Sequence, residues 1–274
     1  MTPILINDQI YPWPSIAQTA FEPICALLEE EQQRMLALRS VLAGVEEHIL
    51  IHFVRMYLFR FAVPAVEIER GGLEPAHAPA IRTRLWACLV GRGLDDLIDK
   101  DSRFFSPAAS ATLFAFYSGL LLPALGADAE RFLRGVSMAA GEISIDQGPL
   151  DFELLTNDVC RRVEYFLAPT AAARPERLGL LRSFLGVTLG RSDLDDALED
   201  GCGRPATYLS QTLRTELADD EGKVLLGGRL WLWRRKAAAM LATEADRISA
   251  ELTRASAPFA AGVVAQEAAR LHSG

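Results

Sequence analysis

The chain has 274 residues and a net charge of −8, and half of its residues are hydrophobic while 23% are charged. This composition predicts a globular protein with a sizeable core rather than a disordered chain. The negative charge argues against a nucleic-acid partner. The four cysteines are scattered without a CxxC pair, and the N-terminus lacks the basic segment of a signal peptide. Both features are typical of a cytoplasmic protein with reduced thiols.

One apolar stretch requires a separate interpretation. Phe104–Ala127 comprises 24 residues without a charge, which is long enough to span a bilayer. It also contains Pro107, Gly119 and Pro123, and it has no basic flank of the usual kind. We therefore expect a buried helix of a large bundle, and at most a peripheral contact between the protein and a membrane.

Along the chain, residues 1–14 contain three prolines and predict an irregular N-terminal arm. Apolar residues at helical spacing, punctuated by proline and glycine, predict about ten helices after the arm. Strand-like alternation is not found, so we expect one all-α domain over residues 1–274, a single helical bundle around one core. The predicted helices cover residues 15–43, 45–62, 81–100, 108–122, 128–145, 153–167, 175–200, 219–253 and 257–271, and residues 65–80 are predicted to be a connection.

Two of these helices end in nearly repeated acidic motifs, LDDLID at 94–99 and LDDALED at 194–200. At about 100° per residue, the acids of each motif share one face and the apolar residues lie opposite. Like charges at this spacing repel each other, so such a face is found either in open water or around cations. Two matched copies favour the second interpretation. The acids concerned are Asp95, Asp96 and Asp99 in the first motif and Asp195, Asp196 and Glu199 in the second.

A set of ligands made of carboxylate oxygens alone suits Mg²⁺, which commonly bridges carboxylates to substrate phosphates. The pair of motifs therefore predicts a Mg²⁺–diphosphate site. Apart from Arg84, the residues one to three turns before the acids on the same faces are small or apolar, as is typical of a pocket for a hydrocarbon tail or of ordinary helix packing. On the first helix these are Gly91 and Cys88, and on the second they are Thr188 and Phe184.

The pairing of GRGLDDLIDKD with GRSDLDDALEDGCGRPATYL resembles the two aspartate-rich motifs of class I isoprenoid synthases, and most of all those of the farnesyltransferases of moenomycin biosynthesis. That resemblance implies an all-α fold of the class I synthase type with a central cavity, and three Mg²⁺ ions that help to ionise an allylic diphosphate. It implies that Asp95, Asp96 and Asp99 bind two of the ions and that Asp195, Asp196 and Glu199 bind the third. Members of that family are commonly homodimers, so the resemblance also implies a possible homodimer.

The second motif departs from the chain-elongating members of that superfamily. It ends in Glu199 instead of aspartate, Gly203-Arg204 replaces the usual Gly-Lys, and no GKxxRP segment for isopentenyl diphosphate is present. The NDxxSxxxE pattern of terpene cyclases is also missing. These departures favour an acceptor other than isopentenyl diphosphate, either a small molecule or a lipid-linked one.

Basic and aromatic residues near the motifs are candidates to complete the site. Arginines pair well with diphosphate oxygens, and aromatic faces stabilise carbocations, although each is also common as a surface or packing residue. The candidates for the diphosphate are Arg92, Arg161, Arg162, Arg204 and Tyr208, those for a second, acidic substrate are Arg55 and Arg60, and those for the cation are Phe53, Tyr57, Trp86, Phe116 and Phe184.

Three hypotheses follow. The first is a Mg²⁺-dependent prenyltransferase that ionises farnesyl or geranylgeranyl diphosphate and passes the prenyl group to an acceptor. The second is a terpene cyclase, in which the cation is quenched within the same molecule. The third is a non-catalytic helical binding protein with two acidic patches.

Overall fold

A computed structural model describes residues 5–6, 9–10, 18–42, 45–99, 105–140, 148–167, 174–202, 207–217 and 228–273. The described part is almost entirely helical, which confirms the predicted all-α class. Its α-helices are α1 Gln18–Ala37, α2 Glu47–Tyr57, α3 Val63–Arg70, α4 Ala78–Asp99, α5 Pro107–Leu125, α6 Ala129–Ala140, α7 Phe152–Arg162, α8 Glu164–Leu167, α9 Pro175–Cys202, α10 Tyr208–Leu217, α11 Gly228–Arg254 and α12 Pro258–Ser273.

A small β hairpin lies within the arm that was predicted to be irregular. Strands β1 (Leu5–Ile6) and β2 (Gln9–Ile10) pair in antiparallel fashion, with Leu5 opposite Ile10. Each strand has only two residues, which is too short for an alternating pattern to be visible in the sequence. The arm therefore contains one hairpin that the sequence did not reveal.

Proline acts differently at Pro64 from what the sequence predicted. The chain continues from α2 through a π-helical turn, Leu58–Ala62, directly into α3. Pro64, which cannot donate a backbone hydrogen bond, directly follows the π-helical turn within this continuous helical run. The helix ends at Gly71, whose φ of 76° is favourable only for a residue without a Cβ. Part of the predicted connection at 65–80 is therefore helical.

Two further boundaries differ from the prediction. The helix predicted at 153–167 is broken at Val163, where the backbone leaves the helical region with φ −114° and ψ 27°. Helix α10 was not predicted at all, although Leu209, Leu213 and Leu217 recur every four residues and are all buried. The predicted start of α5 is confirmed, since Ser106 caps it by accepting the N–H of Ala109 at 3.3 Å.

Helices α4 and α9, which carry the two acidic motifs, occupy the middle of the bundle. Helix α4 packs against α3, α5, α6 and α8, while α9 packs against α3, α7, α10, α11 and α12. Both therefore contact α3, and the apolar side of each is buried. At the C-terminal end of each helix some acids reach the surface, since Asp95, Asp195 and Asp196 are exposed while Asp96 is buried.

Two helical stretches are long and apolar enough to span a membrane by length and composition. They are Glu47–Arg70 and Pro107–Ala139. In the most apolar 18-residue window of each stretch, 61% of the first and 33% of the second is buried. The first is therefore mainly a core segment of the bundle. The second contains the uncharged stretch that was predicted to be a buried helix, and α5 buries one side of it, with Leu113, Tyr117 and Leu121.

Glu67 joins two helices that are far apart in the chain. It is buried in α3, and its carboxylate accepts the backbone N–H groups of Phe259 at 3.2 Å and Ala260 at 2.7 Å, at the start of α12. Burial raises the pKa of Glu67 to about 7, although these two N–H groups act in the opposite direction. The bonds thus cap α12 with a side chain from another helix.

Replacing Glu67 with glutamine is expected to weaken the pH dependence of stability between pH 4.5 and about pH 7. The unfolded carboxyl group ionises near 4.5 and the folded one near 7, so in this window the folded state binds the extra proton. The free energy of unfolding of the wild type therefore falls as the pH rises, by at most ~1.4 kcal/mol per pH unit from this group. Urea unfolding measures the slope. An unchanged slope in Glu67→Gln would contradict the prediction, and exposed Glu22→Gln is the control.

Candidate active site

The first acidic motif is held by an arginine one turn earlier on α4. Arg92 Nη1 lies 3.1 Å from Asp95 Oδ2, and Nη2 of the same guanidinium donates to Asp96. The two acids differ in exposure, because Asp95 is 57% exposed at its side chain and Asp96 is buried. The side chain of Asp99, the third predicted ligand, lies outside the described residues. Among the described residues, Arg92 thus pairs with both carboxylates at the end of α4.

Tyr57 packs beside this cluster from the end of α2. Burial raises the pKa of the Tyr57 hydroxyl, and Asp95 and Asp96 add to the effect while Arg92 opposes it. Burial also tends to lower the pKa of Arg92, but Tyr57 and the two acids outweigh it, so its pKa is raised. The guanidinium therefore stays charged, and Tyr57 stays a neutral phenol next to the carboxylates.

The second motif repeats this arrangement on α9. Arg191, one turn before the motif, donates to Asp195, and Arg234 of α11 approaches the same carboxylate at 3.8 Å. Asp195 and Asp196 are both exposed. Arg191 stands four residues before Asp195, much as Arg92 stands three and four residues before the first pair. The side chain of Glu199, like all of Arg204, is not among the described parts of the chain.

A buried charge network lies beneath the second motif. Arg162 of α7 donates to Asp158 at 3.1 Å and to Asp193 of α9, two residues before Asp195. Burial tends to lower the pKa of Arg162, but Asp193 and Asp158 outweigh it and raise the pKa. Burial also raises the pKa of Asp193, against Arg162. The predicted diphosphate ligand Arg162 thus braces α7 against α9 in this structure.

Asp158 extends the network to α10. It accepts the backbone N–H of Tyr208 at 3.1 Å, and Arg161 lies 3.9 Å from its other oxygen. The Tyr208 hydroxyl donates to the carbonyl of Pro149 and accepts the N–H of Asp151 at 3.1 Å. Tyr208, predicted to close over a diphosphate, therefore has its hydroxyl engaged in fixing the start of α7.

The two arginines predicted for a second substrate have different surroundings. Arg60 is tied to α9 and α12, since it donates to the carbonyl of Thr188 at 2.8 Å and lies 3.3 Å from Glu267. Arg55, one turn earlier, has a buried Nε without a hydrogen-bond partner among the described residues. The Nε of Arg60 lacks a partner there as well, but its Nη2 is engaged by Thr188 and Glu267, which leaves Arg55 the less constrained of the two.

Tyr165 fills the space beside Gly91 that was predicted to line a pocket. A Cβ built on Gly91 would lie 2.1 Å from the Tyr165 hydroxyl oxygen, so only glycine allows this approach. Cys88, one turn earlier, is buried, and burial raises the pKa of its thiol. Burial also raises the pKa of Tyr165, Asp95 adds to this, and Arg162 opposes it. The Tyr165 ring therefore lies near Asp95 of the first motif and near Arg162, which pairs with Asp193 just before the second motif.

The corresponding positions on α9 belong to the core. Phe184 and Thr188 are fully buried, and the Thr188 hydroxyl donates to the carbonyl of Phe184 at 2.9 Å. Their burial is compatible with the wall of a closed cavity and with ordinary packing alike. Two surface pockets lie elsewhere, one beside His48 and one between α1 and Phe116, and neither is lined by an acid of either motif.

The aromatic candidates separate into two groups. Phe53 and Tyr57 stack edge to face with centroids 5.0 Å apart, and Phe61 lies 5.9 Å from Tyr57. Because Tyr57 adjoins Asp95 and Asp96, this cluster lies next to the first motif. Trp86 instead donates its indole N–H to the buried Glu31 at 2.9 Å, away from the acids of α4.

The residues present fit Mg²⁺ and a diphosphate. Asp95, Asp96 and Asp195 offer the oxygen ligands that Mg²⁺ prefers, and the buried Nε of Arg92 has no hydrogen-bond partner in the described part of the chain. A diphosphate oxygen would satisfy such a donor. Among the described side chains, no group of three or more His, Cys, Asp or Glu is arranged for a metal, and the third acid of each motif lies outside that set.

Sequence reasoning missed Arg191, Asp193, Tyr165 and Asp158. Arg191 had a visible signal, since a Gly-Arg pair precedes both motifs, at 91–92 and 190–191. The other three had none, because their roles depend on contacts between helices. The chain matches no protein-family model, and it matches no curated protein.

Proposed function

We propose that the chain is a Mg²⁺-dependent prenyltransferase of the class I isoprenoid synthase type. In the proposed reaction an allylic prenyl diphosphate, farnesyl or geranylgeranyl, is ionised, and the prenyl group is transferred to an acceptor other than isopentenyl diphosphate. The observation that supports it most is the matched pair of arginine–carboxylate clusters, Arg92 with Asp95 and Asp96, and Arg191 with Asp195.

Asp95, Asp96 and Asp195 would hold Mg²⁺, together with Asp99, Asp196 and Glu199. When bound, Mg²⁺ supplies positive charge that stabilises the departing diphosphate. Two arginines of the chain assist, since the Nε of Arg92 has no partner among the described residues and Arg191 adjoins the second motif. Each releases a carboxylate to the metal and turns toward the diphosphate, which keeps the charge of the site balanced.

The bond changes in this proposal are simple. The bond between C1 and the diphosphate oxygen breaks, and both electrons leave with the oxygen, so that an allylic cation remains. A nucleophilic oxygen of the acceptor then bonds to C1 and loses its proton to the released diphosphate. The rings of Phe53, Tyr57 and Phe61 form one cluster, in which Tyr57 adjoins the first motif, and their faces would stabilise positive charge. Arg55 binds the acid group of the acceptor.

The test is a screen of allylic diphosphates of increasing tail length, with Mg²⁺, in the presence and absence of candidate acceptors. We expect diphosphate release that depends on Mg²⁺ and rises when an acceptor is added. A cyclic hydrocarbon or terpene alcohol formed with Mg²⁺ alone would identify a cyclase instead. If no allylic diphosphate is consumed and Mg²⁺ leaves the melting temperature unchanged, the protein is a non-catalytic binding protein.

Tyr165→Ala is expected to lengthen the prenyl tail that the enzyme accepts. The ring fills the space beside Gly91, and removing it opens room beneath the first motif. The measurement is the relative kcat/KM for geranyl, farnesyl and geranylgeranyl diphosphate. Tyr165→Phe keeps the ring and serves as the control, with an unchanged profile. If both variants retain the wild-type profile, the tail does not lie beside Tyr165.

A further inference from the structure

The first three turns of α11 expose a surface that is both aromatic and basic, named here the α11 surface and formed by Trp231, Leu232, Arg235 and Lys236. Trp231 is 61% exposed and Leu232 is 50% exposed, among the largest exposures of big apolar side chains in the described structure. These four residues share the outer side of the helix, opposite the buried Trp233. The Arg235 guanidinium lies over the Trp231 ring, 5.2 Å from its centroid.

The charges of this surface are not neutralised within the described protein. Arg229, Arg235 and Lys236 form no ion pair with any residue in the described ranges, and residues 222–243 contain no aspartate or glutamate. At the other end of the same helix, Arg247 lies 2.7 Å from each of two glutamates. Within the described residues, such a block of positive charge without an ion pair is unexpected in a chain whose net charge is −8.

Folding stability does not account for this surface. Arg229 stands in the first helical turn, where the helix dipole favours acids and disfavours bases. Exposed tryptophan and leucine leave apolar area in water that burial elsewhere would remove. Tryptophan next to arginine and lysine is the composition of helices that lie in the interface of an anionic bilayer. A nucleic-acid strand fits less well, because the rest of the acidic chain would repel its phosphates.

We propose that the α11 surface docks the protein on an anionic phospholipid bilayer. Trp231 and Leu232 enter the headgroup layer, while Arg229, Arg235 and Lys236 pair with lipid phosphates. Arg234, on the same turns but on another side of the helix, approaches Asp195 of the second acidic motif at 3.8 Å, so the α11 surface lies on a helix that adjoins the candidate site. The purpose of this docking rests on the proposed function, because prenyl tails and a lipid-linked acceptor both reside in membranes.

The experiment is vesicle flotation of the full chain without substrate. We expect binding to vesicles of phosphatidylcholine mixed with phosphatidylglycerol, and little binding to vesicles of phosphatidylcholine alone. Trp231→Ser with Leu232→Ser should reduce the bound fraction, and Arg235→Gln with Lys236→Gln should lower partitioning about tenfold or more. Matched controls change the same number of exposed residues elsewhere. They are Leu133→Ser with Met138→Ser on α6, and Arg247→Gln with Arg254→Gln at the far end of α11.

The inference is overturned if the wild-type protein does not bind anionic vesicles. It is also overturned if the α11 variants bind them as the wild type does. It is also overturned if Trp231→Ser with Leu232→Ser converts a dimer into a monomer in gel filtration, since a second copy then covers the surface. Diphosphate release in vesicle-free solution is measured on the same variants and should be unchanged. Protein that binds vesicles but releases no diphosphate refutes the proposed function while supporting membrane docking.

Discussion

Asp95→Asn and Asp195→Asn are each expected to lower Mg²⁺-dependent diphosphate release by about a hundredfold or more. Each substitution removes a ligand charge from one of the two acidic motifs while keeping the size of the side chain. The fold should survive, because both side chains are about half exposed. The rate of diphosphate release with farnesyl and geranylgeranyl diphosphate is the measurement.

The matched control is Glu130→Gln. Glu130 is an exposed acid paired with an arginine four residues away, at 3.3 Å, so the substitution breaks the same kind of ion pair outside the candidate site. We expect it to retain the wild-type rate. The melting temperature adds a readout that does not depend on turnover. Mg²⁺ with inorganic diphosphate should raise the melting temperature of the wild type and of Glu130→Gln, but not that of either Asp variant. Full activity in both Asp variants would refute the proposed metal site.

Gly135→Ala is expected to lower the free energy of unfolding by about 3 kcal/mol. A Cβ at Gly135 would lie 2.3 Å from the backbone nitrogen of Tyr165 and 2.7 Å from its Cα. A backbone atom cannot turn aside as a flexible side chain can, so α6 would have to move away from α8. Urea unfolding monitored by circular dichroism gives the change in stability.

Gly179→Ala is the control for this prediction. Gly179 also lies inside a helix, but nothing stands within 4 Å of the position that its Cβ would take. Alanine there restricts the unfolded chain and should stabilise the protein by about 0.5–1 kcal/mol. If Gly135→Ala has the same small positive effect, the close approach of α6 to α8 is not present in solution.

The positions of the acidic motifs illustrate how far the sequence could lead. Helical periodicity placed Asp95 and Asp195 at the ends of long helices, and α4 and α9 confirm this local arrangement. Spacing also placed Arg92 on the acidic side, because residues three and four apart on a helix are neighbours, and the same spacing, not used in the prediction, applies to Arg191. These contacts lie within one turn and can be read from spacing alone.

Helix boundaries were predictable only where a local signal dominates. Ser106 and Pro107 start α5 as expected, whereas Pro64 starts α3 instead of ending the preceding helix. Proline is compatible with both positions, and the π-helical turn that decides between them depends on packing against α4. Val163 likewise breaks a pattern that appears continuous in the sequence.

The sequence by itself determined the helical class, the two acidic faces and the oxygen-only ligand set, because these depend on residue type and on spacing within a single helix. Only the tertiary structure decided that Arg162 braces Asp193 across 31 residues, that Arg60 reaches Thr188 across 128, and that Tyr165 fills the space beside Gly91. Such contacts join residues that no periodicity relates. They form because buried charges and close-packed glycines require particular partners, and folding alone brings those partners together.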